Sequence, residues 1–228
     1  MEFKRLFLMI VAFYCGSTLA QDYEKIVEDA TARNDNSFLE NWSFIETRTT
    51  DDVVRVASFD PGREVGNGWQ LVSINGEEPD DEEIEVFQSE KAKLAVEREE
   101  NQDKNGLLEM IAPGSLELLE ETPEFWRFGF QPRDENDEAM MEHVAGELNI
   151  RKQGLFVHSM EMRSRNSFKP RAGVKIREFK MQMRFTFAGE NGPVVPLSLD
   201  SYVSGKAFLV ATIEENVLVE YSDYQQVK

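Results

Sequence analysis

Sulfur and imidazole chemistry are nearly missing from this chain. Its 228 residues include one cysteine, Cys15, and two histidines, His143 and His158. A single thiol excludes an internal disulfide. Because Cys15 lies in a segment expected to be removed, a thiolate metal site and a cysteine nucleophile are excluded from the mature protein as well. Two lone imidazoles make a poor zinc site, which takes three or four protein ligands. His143 follows Glu138 and Glu142 and could join only a loose metal site; His158 reads as a strand residue satisfied by its neighbours. Catalytic signatures are missing too. Ala112-Pro-Gly-Ser-Leu116 has the wrong frame for a nucleophile elbow, and neither a P-loop nor a dinucleotide fingerprint occurs. The acidic run Asp134 to Glu138 lacks the glycine and the distant glutamate of a calcium loop. No catalytic residue, metal or cofactor is assigned.

Basic charge is also scarce. Lysine and arginine number 25 against 43 acidic residues, a formal net charge of -18. Such a surface repels phosphate backbones, which excludes nucleic acid as a natural partner. The total also argues against docking by charge on anionic lipid.

Long hydrophobic runs are limited to the N-terminus. Lys4 and Arg5 precede an apolar stretch from Leu6 to Cys15, shorter than the about 20 residues that span a bilayer. Gly16 to Ala20 is a small-residue tail. Residues 1–20 therefore read as a cleaved signal peptide, with residues 21–228 as one exported domain that is not integral to the membrane. Cys15 raises lipidation as an alternative, which bulky Phe13 and Tyr14 disfavour.

What the chain does have is alternation. From Phe179 to Phe187 every second residue is large and apolar: Phe179, Met181, Met183, Phe185 and Phe187. Lys180, Gln182, Arg184 and Thr186 lie between them. Period two means a strand with one buried and one wet face, here the central strand of a curved antiparallel sheet. The apolar phase flips between Ile176 and Phe179, which predicts a bulge or sharp bend near Arg177-Glu178. Met160 and Met162 share a face of the preceding strand, so pairing the two strands would gather four thioethers. Trp126 and Phe128, from a strand over 125–130, complete the candidate face. Methionine adapts to varied apolar ligands. Taken alone, such a face is more often ordinary core under a helix, since most apolar strand faces are core.

The rest of the chain reads as follows. A short amphipathic helix is expected over 22–33, with Tyr23, Ile26, Val27 and Ala30 on one side. Strands are expected over 42–49, 53–59 and 69–74. Asp80 and Glu83 form a capping-box pattern for a helix running to about Glu100, with Ile84, Phe87, Leu94 and Ala95 as its apolar stripe. Leu107 to Ile111 suits a short buried element, and 115–120 a helical piece. A helical turn is expected around 139–143, a hairpin about Gln153-Gly154, and a polar loop over 164–173. The end reads as three strands, 195–203, 207–213 and 217–224, with turns at Ser204-Gly205 and Glu215-Asn216.

These motifs carry a family resemblance. A leader, a Trp-led strand ending in Asn-Gly-x-x-Pro (Trp69, Leu71, Asn75, Gly76, Pro79), a following helix and a long antiparallel meander stand in order. The hairpin of Gly146 to Ile150 with Leu155 to Met160 and the closing Tyr221 to Tyr224 complete the pattern. The chain resembles the LolA-like periplasmic lipoprotein-carrier superfamily of Gram-negative bacteria. The resemblance implies a mainly β fold: one curved antiparallel sheet forming an unclosed β-barrel, with a few helices packed on its open side. It further implies a non-enzymatic periplasmic protein sheltering lipid or a lipidated protein in an apolar cavity. The alternative is an envelope interaction or sensor domain with a filled core and a protein partner.

Overall fold

The computed structural model describes residues 17–227 except 35, 64–67, 101–105, 135–136, 191 and 209–210. Residues 1–16 of the expected leader lie outside the described residues. The chain forms α1 (Ser17–Ala32), β1 (Trp42–Thr50), β2 (Val53–Phe59), β3 (Trp69–Ile74), α2 (Asp81–Glu100), β4 (Glu117–Glu121), β5 (Phe125–Phe130), α3 (Glu138–Met141), β6 (Val144–Arg151), β7 (Phe156–Ser164), β8 (Phe168–Arg171), β9 (Val174–Phe187), β10 (Val194–Ala207) and β11 (Ala211–Gln226). Ser17 to Ala20 join α1, so this helix starts five residues before the expected one.

Among the described residues, eleven strands form one antiparallel sheet ordered β3-β2-β1-β11-β10-β9-β7-β6-β5-β4, with β8 paired to β9 beside that path. Neither β3 nor β4 pairs onward, so the sheet is not closed. β9 is central, as its alternation predicts. Local chemistry explains most of the elements. Asp80 Oδ1 accepts from the Glu83 N–H and Glu83 Oε2 from the Asp80 N–H, both at 2.9 Å, a reciprocal cap for α2. After β3 the chain reverses through Asn75 and Gly76, both at positive φ (52° and 81°), the pair that such a turn requires. Arg177 is the extra residue of a bulge, because Ser204 faces Glu178 while the next residue, Gly205, faces Ile176.

Four expectations are corrected. The 115–120 piece is strand β4, because Leu118 finds Phe128 of β5 opposite it. The 164–173 loop contains β8, an edge strand that tolerates Pro170. The end of the chain is two long strands instead of three. Ser204-Gly205 lies inside β10, where the Lys175 carbonyl of β9 approaches so closely that a Cβ on Gly205 would collide with it. The glycine marks a bulge and not a turn. Glu215-Asn216 lies likewise inside β11. Finally, the stripe of α2 narrows to Phe87, 5% exposed, while Ile84 and Leu94 stay in water at 37% and 53%.

Candidate ligand-binding face

Strand register sorts the side chains. Residues directly opposite one another on paired strands point to the same face of the sheet. One row can be followed through all ten strands of the path. It starts Leu118, Phe128, Leu148, Met160, Met183 on β4, β5, β6, β7 and β9. It continues Leu199 and Val219 on β10 and β11, then Arg48, Arg55 and Ile74 on β1, β2 and β3. A parallel row runs Phe130, Gly146, Met162, Met181, Ser201, Val217. Gly146 is required there, because the Phe130 ring lies across it and occupies the space of a Cβ.

Both long helices lie on this face. α1 brings Val27 and Ala30, each fully buried, against Phe128, Leu148, Met160 and Met162. Its C-terminal end is tied to the sheet by Asn34, whose Nδ2 donates to the Val157 carbonyl and whose Oδ1 accepts from the Val157 N–H, both at 2.9 Å. Arg33 Nη1 donates to the Gly154 carbonyl at 2.6 Å. Sequence alone shows Asn34 only as a helix breaker. α2 covers the opposite end, with Phe87 against Ala57 and Leu71. Lys91 Nζ bonds Glu46 Oε1 at 2.7 Å and stands 3.5 Å over the Trp69 ring; the pair's side chains are only 13% and 12% exposed.

The nine candidate residues fall into three groups. Phe128, Met160 and Met162 are buried at 1%, 0% and 3% under α1. Trp126, Phe179, Met181, Met183 and Phe185 pack against the same cluster but are only partly buried. Phe187 stands apart, its ring 4.7 Å from that of Phe156. The four thioethers do meet: Met160 faces Met183 and Met162 faces Met181. Leu199, Val217 and Val219 extend the same floor and were not among the expected residues, since only the register of β10 and β11 places them there. A cleft of about 370 Å³ opens at the far end of the row, between the start of α2 and β2–β3, with Arg55 and Ile74 in its lining. Asp80, Glu82 and Glu83 on its wall make it a poor seat for an anion or an acyl chain.

The two histidines sit in different surroundings. His143 is exposed and stacks on Phe168 at 4.7 Å. His158 is held below its usual pKa by burial and by Arg151, and to a smaller degree Arg184; a backbone hydrogen bond at Phe185 opposes them. A depressed imidazole takes up its proton less readily in the folded chain than in the unfolded one. Its contribution to stability is complete above the ordinary value of 6.5 and is lost as pH falls from there towards the folded value. Urea midpoints measured across that window should fall more steeply for the wild type than for His158→Gln. Among the described residues, no group of three or more His, Cys, Asp or Glu side chains could hold a metal ion.

No family model matches the chain, and no curated protein matches it. One solved structure, a LolA superfamily protein from Nitrosomonas europaea, aligns over 90% of this chain and 93% of its own, with a TM-score of 0.33 and 11% identity. That alignment assigns no residue a role.

Proposed function

We propose that this protein is an exported binding protein that shelters an acyl chain, free or carried by a lipidated protein, between α1 and α2. One observation carries the reading: the register row stays apolar from Leu118 to Val219 across seven strands, and its centre at Met183 is only partly covered. Burying an acyl chain is worth about 0.8 kcal/mol per methylene, so even a partial groove binds usefully. Methionine side chains let such a floor adapt to chains of different shape. The leader would place the protein in the periplasm. Among the described residues no helix is long and apolar enough to cross a membrane.

The test is Met181→Glu. A carboxylate in the floor should abolish uptake of a fluorescent fatty acid while the near-ultraviolet circular dichroism stays native. Undiminished uptake would contradict the proposal. The burial of Phe128, Met160 and Met162 under α1 favours a second reading, an interaction domain with a filled core, for which neither protein would take up the probe.

A further inference from the structure

The tip formed by the β8–β9 and β10–β11 turns carries charge of the opposite sign to the rest of the molecule. Residues 163–180 contain seven lysines and arginines and one glutamate, in a chain of net charge -18. Arg163 is engaged by Glu147 at 2.8 Å and Arg165 by Gln131 at 2.7 Å. Lys169, Arg171, Lys175 and Lys206 are exposed. Lys206 stands directly opposite Lys175 in the β9–β10 register. Like charges facing each other across a ladder are destabilising unless an anion lies between them. The nearest carboxylates on these ladders, Glu178 and Glu214, pair with Ser204, two positions further from the tip.

The two turns touch. The Phe208 N–H donates to the Gly173 carbonyl at 2.6 Å. The Phe208 ring lies over Gly173, which has φ of +80°, so closely that a Cβ there would come within 2.9 Å of the ring. Phe208 is nonetheless 75% exposed, the most exposed large apolar side chain among the described residues.

We propose that this tip docks the protein on an anionic lipid surface, with Phe208 in the interfacial layer and Lys169, Arg171, Lys175 and Lys206 at the phosphates. Neither a single apolar group nor a few basic charges holds a protein on a membrane alone; together they do. A duplex nucleic acid would satisfy the lysines but leave Phe208 in water, whereas a single strand that stacks a base on the ring is the competing occupant that the test below separates. The acidic remainder of the chain is repelled by the same surface, so only the tip can approach it. The net charge of the chain conceals this, because a sum carries no position. The inference is independent of what the floor between the helices holds.

Cosedimentation with vesicles of phosphatidylcholine, with and without phosphatidylglycerol, tests it. Binding should require phosphatidylglycerol and weaken as salt is added. The exposed double substitution Lys175→Ala/Lys206→Ala should lower the partition coefficient about 25-fold, about fivefold for each lysine. Phe208→Ser should lower it severalfold at every salt concentration, with thermal midpoints of both variants unchanged. Equal binding to neutral vesicles, no binding to anionic ones, an undiminished double variant, or capture of single-stranded DNA without vesicle binding would each overturn the proposal.

Discussion

Phe128→Ala is expected to lower the unfolding free energy by about 3–5 kcal/mol, a large part of the about 5–15 kcal/mol that holds a typical domain together. Phe128 is 1% exposed and touches the sheet on both sides, with Leu118 and Leu148 opposite it and the Tyr23 ring of α1 at 5.7 Å. Its removal leaves a cavity that these strands cannot collapse to fill. Met181→Ala, on the same face but only partly buried, should cost about 1 kcal/mol. Urea midpoints of the two variants measure the contrast. A similar loss in both would mean that the floor is packed evenly from end to end, as a filled core requires.

Lys91→Met is expected to cost about 3 kcal/mol, because it leaves the Glu46 carboxylate largely covered and without its cation. The double variant Glu46→Leu/Lys91→Met should return to within about 1 kcal/mol of the wild type, since two apolar side chains need no mutual compensation. The ion pair lies beneath α2 at 2.7 Å, with Trp69 under the ammonium. A double-mutant cycle by thermal or urea unfolding gives the coupling directly. Additive losses would show that Lys91 acts only by packing its stem on Trp69 and Phe87.

The sequence is most legible where one physical signal dominates. Period two over 179–187 defines β9, and the phase flip before it points to the Arg177-Glu178 pair, where the bulge at Arg177 is found. Asp80 and Glu83 announce α2 because both halves of the cap are local. It misleads where local preference and tertiary pairing disagree. Leu and Glu favour helix in 117–121, yet the segment is an edge strand completed by β5. Gly205 looks like a turn because its cause, the approach of the Lys175 carbonyl, comes from another strand. The candidate face divides in the same way. Alternation shows that Met160, Met162, Met181 and Met183 are inward on their own strands. Whether α1 covers them is a property of the packed chain, and it covers the first two far more than the second two. Arg48 and Arg55 at the far end of the row carry no pattern that separates them from other surface arginines; only register places them beyond Val219.

The central claim is that the floor between α1 and α2 holds an acyl chain. Native mass spectrometry of protein purified from the exported fraction, followed by solvent extraction, tests it most directly. The account predicts bound masses that are lost on extraction, that are recovered as lipids in the organic phase, and that Met181→Glu does not carry. A single apo mass, unchanged after incubation with phospholipid or fatty acid, would contradict it.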